Sequence, residues 1–396
     1  MFSLLIFLAV LAALVLSHEF GHFIVARKNG IKVDEFGFGF PPRLFGIRRI
    51  TNAGGTTKWQ IIWGSQDLEK FPLENGSSAG TLYSLNLIPL GGFVKIKGEN
   101  GEDKFSPDSF GGKPFWQKAS VLVAGVVMNV LLAAVLISVG YMAGMPQATD
   151  NLPANTPVTN RHTEIAAVLE GKPAAAAGLM VGDTFLAIGT FKNPGPAELQ
   201  TYIDAHKNED ITVTVKRGYS IITKSIHPIV YEDTGKGGLG VAIVEVGLVK
   251  YSWYAAIYHG FIATGLYLWQ IVLSLFLLLK GLIVGQGAAG ELTGPVGVAV
   301  MTGRAARMGI SYLLQFTAVL SLNLAIVNIL PIPALDGGRL LFLVIEKIRG
   351  KANNQKIEQW FHTIGYCLLL LLVLTITIKD VGVFKGSLIN FFHNLF

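Results

Sequence analysis

Five stretches of this 396-residue chain are apolar and long enough to cross a bilayer: 1–24, 115–143, 255–284, 311–332 and 361–378. Hydrocarbon offers no partner to backbone N–H and C=O groups, so such stretches fold as helices or not at all. Only 15% of the residues are charged and the mean hydropathy is +0.50, whereas soluble domains carry about 25% charged residues. The sequence is that of an integral membrane protein in contact with the lipid bilayer. Its formal net charge of +6 is spread over short loops with no long basic stripe, which excludes a nucleic-acid partner. The single cysteine, Cys367, lies in an apolar run, so an intrachain disulfide and a cysteine-based zinc site are both excluded. The first run lacks a basic leader region and reads as a retained helix rather than a cleaved signal.

Loop charge sets the expected topology. Arg27, Lys28, Lys32, Arg43, Arg48 and Arg49 follow the first run and place it with its C-terminal end on the cytoplasmic side. Two spans then return the chain outside for residues 145–250. If 255–284 crossed fully, the loop carrying Lys347, Arg349, Lys351 and Lys356 would fall outside, against the charge rule. The sequence therefore predicts four spans, with 251–310 a re-entrant or interfacial helical region, bent at Gly260 or Gly265. The expected division is 1–144 (spans 1–24 and 115–143, cytoplasmic-side β elements 31–99), 145–250, 251–310, and 311–396 (spans 311–332 and 361–378).

Between the first two spans, residues 31–65 alternate and are rich in glycine, which suggests strands and a hairpin, with Phe36, Phe38 and Phe40 on one face. Residues 66–80 and 100–113 read as polar loops. After Gly91-Gly92 the run Phe93-Val94-Lys95-Ile96-Lys97 predicts an edge strand that can pair with an extended peptide, making Gly92, Phe93, Val94, Lys95 and Ile96 candidate substrate-binding residues. Residues 145–250 predict one small α/β domain, with strands at 211–215, 220–226 and 240–246 and a helix near 196–207. Its stretch GKPAAAAGLMVGDTFLAI at 171–188 resembles the PDZ-domain signature, and Gly238-Leu239-Gly240 resembles the loop that receives a peptide end. The alternative is a domain that acts only as a steric cap.

The chemistry concentrates in two places. Ser17-His18-Glu19-Phe20-Gly21-His22 closes the first run with the pattern H-E-x-x-H. On a helix, His18 and His22 lie one turn apart on one face and can share a metal, with Glu19 beside them to take a proton from a metal-activated water. Ionisable groups at the edge of hydrocarbon are costly without a role; the alternative is a helix end whose histidines face water. The second place is Ser321-Leu-Asn-Leu-Ala-Ile-Val-Asn-Ile-Leu-Pro-Ile-Pro-Ala-Leu-Asp-Gly-Gly-Arg339. Pro331 and Pro333 interrupt the helix, and the expected topology brings Asp336 to the depth of His18 and His22. Two histidines and one carboxylate leave an open fourth position on tetrahedral zinc, which is the catalytic arrangement. Asp336 could instead cap the following helix. Asn328 is placed to donate to a substrate carbonyl or a developing oxyanion. Asn323 is a weaker substrate-binding candidate that could simply pack helices, and Asn129, polar in mid-span, could do either.

The combination of HEFGH, GFGFPPRLFG, NLIPLGGFVKIKGE, one PDZ-like insert, TGPVG at 293–297 and NILPIPALDGG resembles the site-2 protease family in its bacterial branch. The resemblance covers nearly the whole chain. It implies a membrane α-helical fold: a four-span metalloprotease core with a membrane-associated β-hairpin and edge strand, plus a small extracytoplasmic PDZ-like α/β domain. It implies one Zn2+ held by His18, His22 and Asp336, with Glu19 as catalytic base, Asn328 assisting the substrate or transition state, and the FVKIK strand holding unwound substrate. It also implies hydrolysis of peptide bonds in single-span membrane proteins, such as anti-sigma-factor-like regulators, shortened first by another protease outside a bacterial cytoplasmic membrane. Two features depart from the family pattern: a single PDZ-like insert where some members have two, and a longer apolar run at 255–284. The competing functions are a zinc-binding membrane transporter, expected to need polar groups along a path, and a non-catalytic peptide-binding scaffold.

Overall fold

The computed structural model describes residues 2–52, 54–65, 78–99, 106–150, 152–153, 155–218, 220–232, 235–285, 293–351 and 353–383. The helix Phe2–Lys28 (α1) runs without a break through the H-E-x-x-H motif and closes on Arg27 and Lys28, whose charges suit its C-terminal carbonyls. It leads into a sheet made of Val33–Thr51 (β1), Thr57–Trp63 (β2), Ser78–Ala79 (β3) and Leu82–Ile96 (β4). The sheet is more elaborate than the expected hairpin. Residues 33–38 of β1 lie between two parts of β4: Phe36 and Phe38 face Val94 and Gly92 on one side, and Tyr83 and Leu85 on the other. The second half of β1 pairs with β2, and Ile50 and Thr51 pair with β3. The expected polar insert at 66–80 therefore contributes a short strand at its end; its residues 66–77, like 100–105 of the second expected loop, lie outside the described residues. Residues 92–96 have β1 as their one strand partner among the described residues, which agrees with the edge strand read from the sequence.

Phe115–Ala143 (α2) matches the expected second span at both ends. Small residues let α1 and α2 approach closely: a Cβ on Gly21 would lie 2.4 Å from the Ala124 carbonyl oxygen. Phe23, Ala26, Ile31, Val33, Ile96 and Val121 form the core where α1, α2 and the sheet meet.

The chain divides into two compact units: residues 1–135, 262–303 and 317–396, and residues 136–261 with 304–316. The second contains a sheet built from Met145–Ala148 (β5), Val158–Val168 (β6), Thr184–Ile188 (β7), Phe191–Lys192 (β8), Ile211–Arg217 (β9), Ser220–Ile226 (β10) and Val241–Val249 (β13), with a small hairpin of Ile229–Val230 (β11) and Gly237–Gly238 (β12). The strand order is β10-β9-β7-β6-β13-β5, with β8 against β7. Pro173–Ala176 (α3) and Pro196–Ala205 (α4) complete it, and Phe185, Ile188, Leu199, Val213 and Val215 are at most 1% exposed in its core. Buried Asp183 accepts from Nε and Nη2 of Arg217, each at 2.7 Å, and from the Met180 N–H at 2.9 Å. The three strands and one helix expected from the sequence are all present.

Trp253–Val284 (α5) is one helix of 32 residues. The helix is not interrupted at Gly260 or Gly265, where a bend was expected, because a glycine costs an apolar helix only about 1 kcal/mol. Gly260 instead lets α5 approach α2: a Cβ there would meet Ser138 Oγ at 2.1 Å. Pro295–Met308 (α6), Ile310–Ile329 (α7), Asp336–Arg349 (α8) and Gln355–Val383 (α9) follow. Among the described residues, five helices (α1, α2, α5, α7 and α9) are long and apolar enough to cross a membrane.

Candidate metal centre

His18 and His22 project from α1 toward α2, and both are buried (7% and 6% exposed). The chain between α7 and α8 brings Asp336 to them. Ala334 in this connection has φ +70°, and its N–H donates to His362 Nδ1 of α9 at 3.0 Å. Gly337 and Gly338 follow because no side chain fits: a Cβ would lie 2.1 Å from the Leu330 carbonyl oxygen in one case and 2.3 Å from that of Ile332 in the other. Leu335 takes the capping position and Asp336 is the first helical residue, with no side-chain cap. The helix-cap alternative is thereby corrected: the carboxylate is engaged by the histidines instead.

The three donor atoms form a triangle. His18 Nε2 is 2.9 Å from Asp336 Oδ2, His22 Nε2 is 3.3 Å from the same oxygen, and the two nitrogens are 3.1 Å apart. Ligands on tetrahedral zinc at about 2.0–2.1 Å stand about 3.3 Å from one another, so the triangle matches one face of such a tetrahedron. Two further observations fit the donor set to a cation. His22 Nδ1 donates to the Val121 carbonyl oxygen at 2.8 Å, which leaves Nε2 with its lone pair free. Beneath the rings lies Gly125, where a Cβ would be 2.5 Å from His22 Nε2 and 2.7 Å from His18 Nε2. The missing side chain is the space in which the donors converge. His18, His22 and Asp336 are the group of metal-ligating side chains found among the described residues.

The other named residues separate into those near this triangle and those away from it. Asn328 Nδ2 lies 3.4 Å from His18 Nε2, at the rim of the donor set. Glu19 faces the edge strand: a Cβ added at Gly92 would lie 4.0 Å from Glu19 Cγ. Phe93 and Val94 are half-buried and Lys95 is exposed. Ile96 is 5% exposed and packs into the core with Phe23, so its side chain is structural. Asn323 donates to the Val319 carbonyl oxygen of its own helix at 3.0 Å, and none of its described contacts joins it to the triangle. The end of the edge strand is fastened by Lys97 and Ser106, both donating to Asp108, whose carboxyl they pull down to about 2. Arg339, three residues after Asp336, pairs with Glu99 just past the same strand.

A sequence model described as peptidase family M50 matches residues 6–63 and 70–372, including both halves of the triangle. The chain belongs to peptidase family M50. Among curated M50 relatives, a Clostridium perfringens protein with a zinc-metalloprotease name is 32% identical over 383 residues, covering 96% of this chain and 97% of its own. The regulator of sigma-W protease RasP of Bacillus subtilis is 30% identical over 439 residues, covering 96% and 98%. Among solved structures, the PDZ domain of an SdrC-like protein from Listeria monocytogenes is 22% identical, covers 22% of this chain and 92% of that domain, and has a TM-score of 0.20.

To the residues read from its sequence, the structure of this M50 peptidase adds Gly125 and His362, and it gives the mid-span Asn129 a neighbour. Gly125 forms the floor under the histidines, His362 holds the Asp336 connection, and Asn129 lies beside the second ring nitrogen of His18.

Proposed function

We propose that the protein is a zinc-dependent intramembrane endopeptidase that cuts the membrane segments of anchored regulators. The observation that carries this reading is the convergence of His18, His22 and Asp336, from the first helix and from a break more than 300 residues later, beside Glu19 and an edge strand. Curated relatives named as zinc metalloproteases, and another named as a regulator of sigma-W protease, support it.

Zinc, when bound, polarises the scissile carbonyl and makes water acidic enough to deprotonate near neutral pH. The rest is done by this chain. Residues 92–96 offer main-chain groups to a substrate segment that has lost its helical hydrogen bonds, since a helix shields its own carbonyls. Glu19 accepts the proton of the attacking water and returns it to the leaving nitrogen as the C–N bond breaks. The Asn328 amide donates toward the carbonyl oxygen as charge develops there. The positive-inside charge pattern favours a bacterial cytoplasmic membrane, with residues 145–250 on the outer face and the metal centre near the cytoplasmic side. In this reading the outer domain is PDZ-like, takes extended peptide, and limits access to substrates already shortened outside.

The test is co-expression with a single-span substrate tagged at both ends, comparing wild type with Glu19→Gln. Wild type yields a shorter fragment that a zinc chelator suppresses, and the variant yields none. Equal fragment from both would remove Glu19 from the mechanism.

A further inference from the structure

Asn129 lies one turn along α2 from Gly125, on the face that receives the histidines. It is fully buried. Its Nδ2 is 3.4 Å from His18 Nδ1, and its Oδ1 is buried with no hydrogen-bond partner. Its backbone carbonyl accepts a hydrogen bond from Ser321 Oγ on α7 at 2.7 Å, and Ser321 is equally buried. The residue is thus held by its main chain while its carboxamide faces a ring nitrogen that nothing else in the described contacts addresses.

His22 shows what that nitrogen needs. There, a carbonyl oxygen accepts the Nδ1 proton, so Nε2 can offer a lone pair. His18 can act as a ligand through Nε2 only in the same tautomer, with the proton on Nδ1 and an acceptor opposite it. The polar group opposite is Asn129. With Nδ2 turned to the ring, as here, the amide suits the tautomer whose proton sits on Nε2, the nitrogen 2.9 Å from Asp336 Oδ2. A half-turn about the terminal torsion exchanges Nδ2 and Oδ1 in nearly the same space, and the carboxamide then accepts the Nδ1 proton.

We propose that Asn129 is the positioning residue of His18, its Oδ1 accepting the Nδ1 proton whenever Nε2 holds the metal. The inference rests on the zinc-peptidase reading above. A carboxamide serves both tautomers by turning over, which neither an apolar nor a purely donating side chain can do. Asn129 touches neither substrate nor metal and acts through His18.

The test uses the full-length protein in detergent, with zinc affinity measured by competition against a chromophoric chelator and folding measured by thermal melting of the metal-free form. Asn129→Leu keeps the branched shape and the number of heavy atoms and removes the acceptor. Asn129→Asp keeps an acceptor at the same place. The expected result is a loss of zinc affinity of about 10–100-fold for the leucine variant, the usual effect of removing a partner of a metal-bound histidine. The aspartate variant should stay within about threefold of wild type, since a carboxylate is a common partner for such a histidine. In a His18→Ala background the leucine substitution should cause no further loss. If the leucine variant does not fold, Asn129→Ala supplies the acceptor-free comparison. Equal loss in the acceptor-free and aspartate variants, or loss in neither, overturns the proposal. Wild type that binds no zinc overturns the underlying reading as well, whereas wild type that binds zinc and tolerates leucine overturns this inference alone.

Discussion

Replacing Gly125 with alanine should damage the metal centre while leaving its helix intact. The new Cβ would stand 2.5 Å from His22 Nε2 and 2.6 Å from His18 Cε1. Ordinary contact begins at 3.4 Å, so the rings or the helix must give by 3.4 − 2.5, about 0.9 Å. The triangle has no slack of that size, because its three edges span only 2.9 to 3.3 Å. Alanine is the better helix former by about 0.5–1 kcal/mol, so α2 itself loses nothing. A shift near 1 Å in a reacting group costs about 100-fold in rate. A weakening of zinc binding by about 10–100-fold would correspond to about 1.4–2.8 kcal/mol. Zinc affinity by chelator competition and cleavage of a tagged substrate should both fall in Gly125→Ala. Gly265→Ala is the control, because an added Cβ there meets nothing within 4 Å. Normal zinc affinity and cleavage in Gly125→Ala would refute the reasoning that the donors converge over this glycine.

Gly92→Ala should leave zinc affinity unchanged and reduce cleavage, because its Cβ would press on the Gly37 carbonyl oxygen at 2.9 Å and displace the strand edge rather than the ligands; a parallel loss of zinc would contradict that separation. The domain that carries His162 should lose stability as pH rises. The Glu164 carboxylate, accepting from His162 Nε2 at 2.7 Å, raises the pKa of His162 above its ordinary 6.5 against the opposing effect of burial, and the Asn160 carbonyl adds to it. The stabilisation is therefore complete below about 6.5 and fades as pH climbs through the raised folded value. Limited proteolysis of residues 145–250 in the full chain should accelerate over that range in wild type, and His162→Gln should flatten the dependence.

The legible parts of the fold were those set by local pattern. The second span was readable to its ends because Phe115–Ala143 is bounded by polar and glycine-rich sequence. Spacing along one helix joined His18 to His22, and the break at Pro331 and Pro333 placed Asp336 at a helix start. Two things were not legible for physical reasons. In α5, glycines in an apolar run read equally as bends or as packing sites, and Gly260 proved to be the latter. The role of Asn129 depends on a contact across 111 residues, and a carboxamide in mid-span offers no periodic signal to distinguish a helix-packing group from one aimed at a histidine. The pairing of β1 with both parts of β4 was equally hidden, because strand order within a sheet leaves no mark on alternation.

The most direct test of the account is zinc-edge X-ray absorption of the purified protein, with Asp336→Ala beside wild type. The account predicts a four-coordinate zinc with the scattering pattern of two imidazoles and lighter oxygen ligands, and loss of one oxygen together with weaker binding in the variant. A zinc shell with fewer than two imidazoles, or one that is unchanged when Asp336 is removed, would contradict it.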